Sequence, residues 1–277
     1  MQAIFTLTPS ESKRLIGKGM AALPEVQNAK KNGYLLVSRG TTAAYCLEEI
    51  LGEKVVKERY LAGQVIRGVL CVLDAPERSR PVTFHKGEVL PVEPNTVADK
   101  LGPGDILIKG GNALDAFGNV GVIMVNPTGG TMGAFYMGMK ARGLEIIYPV
   151  GLEKLIPSVE EAAQYGGTMA ISKSIGCKAG MACVADGRPF TEIDALEALF
   201  DVSAIHFASG GWGGAEGSVT LIVDGPDDEV GKCMELIEGK IKGEPPLPGV
   251  KQPCKTCPMG MCSFQGKDDK DLPAYLK

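Results

Sequence analysis

Histidine occurs only twice in this chain and tryptophan once, and aromatic residues make up 6% of its 277 positions. Neither histidine reads as a catalyst. His85 falls in hairpin-like sequence and reads as a surface residue, while His206 alternates beside Phe207 in a strand, as a core or interface residue does. No long basic run is present and the formal net charge is −4, which argues against nucleic acid as the main partner. No apolar run approaches the roughly 18 residues of a membrane span, so a membrane is not expected as a partner. The opening MQAIFTLTPSESKRL has too short an apolar part for a signal-peptide layout. The expectation is a cytoplasmic protein, with self-association allowed but not specified.

Glycine is abundant, at 37 residues, and there are eight cysteines. In the cytoplasm such cysteines read as reduced thiols or metal ligands rather than disulfides. The length suits one large domain or two ordinary ones.

The most informative stretch is GVIMVNPTGGTMGAFYMGMKARGLEIIYP, residues 121–149. The apolar run 120–125 predicts a buried strand, residues 126–131 a turn, residues 132–142 a helix closed by Gly143, and 144–148 a second strand. In a parallel sheet a loop such as Thr128-Gly129-Gly130-Thr131 sits at the carboxyl end of its strand, where open α/β sheets bind ligands. Its glycines let backbone approach an anion, and the following helix start offers free N–H groups. The alternative is a tight turn that binds nothing.

Two further glycine loops follow short apolar runs. Thr8-Pro9-Ser10-Glu11 has capping-box chemistry for a first helix ending near Ala22. After it, residues 34–37 predict a strand, Ser38-Arg39-Gly40-Thr41-Thr42 a loop, and residues 43–51 a helix ended by Gly52. Residues 53–93 read as a β-hairpin insertion at the edge of the main sheet. Residues 96–101 predict a short helix capped by Asn95. The strand 106–108 leads into Lys109-Gly110-Gly111-Asn112. Three such loops on neighbouring strands would line one crevice, with Arg39 and Lys109 as donors for phosphate or carboxylate.

YLLVSRGTTAAYCL, residues 34–47, resembles the first strand and threonine-rich loop of the superfamily of ribose-5-phosphate isomerase A, glucosamine-6-phosphate deaminase and the CoA transferases. ILIKGGNAL, residues 106–114, is similar to the isomerase's lysine–glycine segment. NALDAFGNVG, residues 112–121, is similar to a CoA-transferase segment in which an aspartate precedes Gly-Asn. The resemblance covers residues 30–155 in patches. It implies a mostly parallel open α/β sheet with helices on both faces and a phosphate-bearing ligand. The isomerase's acidic Asp-Gly-Ala-Asp-Glu segment is missing, and nothing matches the transferase's nucleophilic glutamate, so no reaction is carried over.

Residues 1–166 are therefore expected to form an α/β ligand-binding domain. Ser158 predicts a helix cap, and Lys154 just before it is a solvated lysine or a crevice residue. Residues 167–245 read as strand, helix, strand, strand, helix, most of a ferredoxin-like α+β domain; the alternative is a smaller α+β lid. Its loop SGGWGGAEG holds Trp212, a docking or closing residue, and Glu216. Asp115 and Glu216 are the carboxylates expected to transfer protons.

Residues 246–277 form a proline-rich linker and a cysteine tail. CKTCPMGMC places Cys254, Cys257 and Cys262 at chelating spacing, leaving a fourth ligand to Cys177 or Cys183 in GCKAGMAC. Zinc and a four-iron cluster both take four thiolates. Redox-active thiols or an inert tail are the alternatives. Cys46, Cys71 and Cys233 read as small buried hydrophobes.

Two functions follow. The first is binding of a phosphorylated small molecule (sugar phosphate, nucleotide or CoA ester), with isomerase or transferase chemistry. The second is a metal- or iron–sulfur-containing redox or sensor protein that works through the tail.

Overall fold

The computed structural model describes residues 1–90, 92–251 and 253–276. Pro91, in the expected hairpin run, and Gln252 and Lys277, in the expected tail, lie outside the described residues. In chain order the main elements are β1 (Gln2–Leu7), α1 (Pro9–Ala22), α2 (Pro24–Asn32), β2 (Tyr34–Val37), α3 (Thr41–Leu51), β3 (Gly63–Ile66) and β4 (Val69–Val72). Next come β5 (Val82–His85), β6 (Glu88–Leu90), β7 (Ile106–Ile108), β8 (Ala113–Leu114), β9 (Val120–Met124), α4 (Met137–Ala141) and β10 (Glu145–Pro149). The remainder is α5 (Val159–Ala163), β11 (Gly180–Val184), β12 (Arg188–Phe190), α6 (Glu192–Leu199), β13 (Ser203–Ser209), β14 (Val219–Asp224) and α7 (Asp227–Leu236).

The fold is mixed α/β. A six-stranded sheet has the order β12-β10-β7-β2-β5-β6. Its first four strands are parallel, and β5 and β6 add an antiparallel hairpin at one edge, where the insertion was expected. Of the parallel strands, β2, β7 and β10 read as near-continuous apolar runs because both faces are covered, whereas the edge strand β12 starts with the exposed Arg188. A second sheet, β11-β9-β8, is antiparallel, and so is a third, β1-β14-β13.

Local chemistry explains the boundaries. Thr8 and Glu11 form a reciprocal capping box at the start of α1, with Pro9 in its first turn. Gly52 ends α3 in the left-handed conformation. Ser158 Oγ accepts from Glu161 N and caps α5. At residues 94–100, by contrast, the chain winds as a 3₁₀ helix that starts after Glu93 without a side-chain cap, so Asn95 does not play the expected part. Residues 132–136 wind as a π-helix that runs into α4, and Gly143 follows with φ +65°.

Two expectations about topology need correction. The strand before the 126–131 loop, β9, does not neighbour β2 and β7. It pairs antiparallel with β8 and β11, because the hairpin 113–124 folds back on itself. Residues 167–245 also do not keep their strands together as a ferredoxin-like unit. β11 pairs with β9 and β12 with β10, while β13 and β14 are completed by β1 from the other end of the chain. Strand pairing follows the apolar faces available rather than sequence proximity. One buried core accordingly runs from Phe5 to Ile241.

α1 lies between α3 and α6. A Cβ at Gly17 would sit 2.9 Å from the Tyr45 backbone, and one at Gly19 would sit 2.5 Å from Ala195 Cα. Glycine lets both helices approach this closely. Among the described residues, no helix is long and apolar enough to cross a membrane.

Candidate functional site

The three glycine loops meet at one crevice of about 970 Å³. The loop after β2 delivers Arg39 and Gly40 and then α3, whose first residues Thr41 and Thr42 also line the crevice. α3 has no side-chain cap, and its first helical bond runs from Ala44 N to Gly40 O at 2.8 Å. The first-turn N–H groups before Ala44 therefore have no partner inside the helix, an arrangement suited to anions. Arg39 is held at the rim. Its Nε donates to Ser79 O at 2.9 Å, and an Nη lies 3.5 Å from Glu93 Oε1.

The loop after β7 brings Lys109, Gly110, Gly111 and Asn112 to the same wall. Gly111 packs so closely that a Cβ would lie 2.7 Å from Val120 Cγ1. Asn112 Oδ1 accepts from Ile123 N at 3.0 Å and ties this loop to β9. That tie explains how the third loop reaches the crevice although its strand belongs to another sheet.

In the third loop, Gly129 and Gly130 adopt φ +78° and +56°, consecutive left-handed positions that side chains disfavour. Both line the crevice with Thr131. Thr128 does not. Its N–H and hydroxyl donate to Asn126 Oδ1 at 2.9 and 2.8 Å, so it builds the turn.

The crevice holds more basic groups than the loops alone suggest. Lys13 of α1 and Lys154 line it beside Lys109. Burial, and then the charge of Lys154, push Lys109 down to about 8. Its Nζ donates to Gly110 O at 3.0 Å. Lys13 is lowered by burial and by Lys154, against the opposing pull of Glu153 and Glu192. Glu153 lies 3.6 Å from Lys154. Behind these lysines Glu192 is fully buried, with one oxygen accepting from Leu152 N at 2.9 Å. Burial, and then the charge of Glu153, raise Glu192 to about 7. Lys13 carried no signal in the sequence, since a lysine on an amphipathic helix usually reads as solvated. Glu192 was hidden as an ordinary first-turn acid.

Neither expected proton-transfer carboxylate lines the crevice. Asp115 is buried and accepts from the N–H groups of Phe117, Asn119 and Val159 and from Asn119 Nδ2. Those bonds outweigh burial and lower its pKa, so its task is to pin the turn after β8 to α5. Glu216 is exposed in the 209–217 loop and accepts from Gly214 N at 3.0 Å. Trp212 in that loop is also exposed.

The cysteines divide differently from expectation. Cys183 sits on β11 opposite Gly121, where burial and the carboxylates of Asp115 and Glu160 raise its thiol pKa. The β9–β11 pairing carries it away from the tail. Cys71 of β4, read from sequence as a buried hydrophobe, takes its place. It is half-buried, and its thiol is raised by burial and then by nearby Cys257, Cys262 and Cys254. Cys254 is buried among Val69, Phe264, Leu272 and Leu276. Cys177 and Cys262 face each other in an isolated antiparallel contact, and the nearness of the two thiols raises Cys177 and lowers Cys262. Cys46 and Cys233 are buried, as expected. Among the described residues no three Cys, His, Asp or Glu side chains are arranged to hold a metal ion, so the zinc or iron–sulfur expectation rests on spacing alone.

Comparison of the chain with protein-family models, with curated proteins and with solved structures finds no match in any of the three.

Proposed function

We propose that the crevice binds a phosphorylated small molecule, a sugar phosphate, nucleotide or CoA ester. The observation that carries this reading is the convergence of three glycine loops, an uncapped helix start and the Lys13–Lys109–Lys154 group on one cavity. Lysines gathered in a partly dehydrated space repel one another, and an anion among them removes that cost. Phosphate oxygens also match backbone N–H groups at the start of α3 and at Gly130 and Thr131. The resemblance of residues 34–47 and 106–114 to the isomerase and CoA-transferase superfamily supports the same ligand class.

Titration calorimetry with inorganic phosphate, ribose 5-phosphate, AMP and CoA tests the proposal. Binding of at least one is expected, and Lys109→Met should weaken it by roughly tenfold to a hundredfold, the worth of a hydrogen bond to a charged group. Equal binding by a folded Lys109→Met protein, or no binding of any of the four, would overturn it.

A further inference from the structure

The five clustered cysteines outside the crevice contain one pair with its own geometry. Cys177 lies directly opposite Cys262 in an isolated antiparallel contact. The flanking bonds are Lys178 N to Met261 O at 2.9 Å and Ser263 N to Gly176 O at 3.1 Å. With the hydrogen bonds on either side, this is the non-hydrogen-bonded kind of cross-strand pair, whose Cα atoms stand about 4.5 Å apart. A disulfide spans Cα separations of about 4.4–6.8 Å, so this backbone can accept one without moving apart. Cys177 is buried and Cys262 half-buried, which gives the two thiols unequal access to solvent.

We propose that Cys177 and Cys262 form a reversible dithiol–disulfide couple, oxidised by a small disulfide of the glutathione type. The Cys262 thiolate, the more accessible sulfur, attacks one sulfur of the small disulfide, and one small thiolate leaves. Cys177 then gives up its proton to solvent and attacks the Cys262 sulfur of the mixed disulfide, releasing the second small thiolate. Two protein thiols become one disulfide, and one small disulfide becomes two thiols.

The location gives the bond a consequence. Cys177 is anchored to β4 through its N–H, which donates to Leu70 O at 2.9 Å. Cys262 belongs to the tail, whose residues 247–249 line the crevice. Gln64 Nε2 of β3 donates to Val250 O at 2.7 Å. The disulfide therefore ties the tail to the β3–β4 hairpin, and both are walls of the same cavity.

The test equilibrates the whole protein without oxygen in buffers of reduced and oxidised glutathione, traps free thiols by alkylation, and maps the peptides by mass spectrometry. Two of the eight thiols should be lost, the linkage should join Cys177 to Cys262, and dithiothreitol should restore all eight. Cys177→Ser should stop at a glutathione adduct on Cys262. First formation of a Cys254–Cys257 bond, or eight thiols unchanged in excess oxidised glutathione, would overturn the proposal. So would stoichiometric zinc or iron that shields these thiols until it is chelated. These outcomes are independent of phosphate binding.

Discussion

Lys109 and Lys154 bring two ammonium groups to one crevice, and the charge on Lys154 makes Lys109 harder to protonate. An anion that binds between them reverses this and returns a proton to Lys109. With a free value of about 8, Lys109 is about half protonated at pH 8. Sulfate is a useful probe because it does not itself titrate in this range. Sulfate binding at pH 8 should take up about half a proton, and the uptake should vanish well below pH 7. Calorimetry in buffers of different ionisation heat reads it directly, and Lys109→Met should abolish it. Proton-neutral binding at pH 8 would remove Lys109 from the site.

Glu192 supplies a pH signature of stability. Its folded pKa is raised from the ordinary 4.5 to about 7, so the folded state binds the proton more tightly than the unfolded chain. This contribution is complete below about pH 4.5 and is lost as pH rises through about 7. Glu192→Gln keeps an oxygen to accept from Leu152 N and removes the titration. Denaturant unfolding between pH 4 and 8 should show the variant gaining on the parent as pH rises. A difference that stays constant over that interval would mean that Glu192 does not titrate there.

The crevice was largely legible in the sequence because glycine after a short apolar run is a local signal. Gly40, Gly110 and Gly129 each stand at a strand end that the run itself marks. The partner of each strand was not legible. β9 carries the same kind of apolar run as β7, yet it joins a different sheet, because pairing depends on which faces the rest of the chain leaves open. Asp115 misled for a related reason. An aspartate before Gly-Asn has the same spelling whether it meets a substrate or accepts four N–H groups in a turn. Cys71 and Cys183 exchanged roles because only the tertiary fold decides which strand passes the tail.

Asp115 should accordingly behave as a structural residue. Its carboxylate accepts four hydrogen bonds, and an amide in its place offers only one accepting oxygen. Asp115→Asn should cost about 1–3 kcal/mol of stability, the penalty for leaving buried donors unsatisfied. Its lowered pKa adds a contribution present above the ordinary value of 3.8 and lost as pH falls below it. Urea unfolding at pH 7 and pH 3 should therefore show the parent–variant gap shrinking in acid. Affinity for phosphate should stay that of the parent, and its loss in a folded variant would restore Asp115 to the site.

Gly19 and Gly231 are both helical glycines, and replacing each by alanine should move stability in opposite directions. Alanine in a helix interior is ordinarily better than glycine by about 1 kcal/mol. At Gly231, in α7, an added Cβ meets nothing within 4 Å, so Gly231→Ala should stabilise by up to that amount. At Gly19 the Cβ would lie 2.5 Å from Ala195 Cα and 2.6 Å from Ala195 Cβ, and backbone cannot rotate aside as a long side chain can. Overpacking of this kind costs about 1–3 kcal/mol, which exceeds the propensity gain. Gly19→Ala should therefore lower the midpoint of thermal unfolding while Gly231→Ala raises it. Because α1 also carries Lys13 into the crevice, the Gly19 variant should weaken phosphate binding as α1 is pushed away from α6. A stabilised Gly19→Ala protein would show that α1 and α6 stand farther apart in solution than this packing requires.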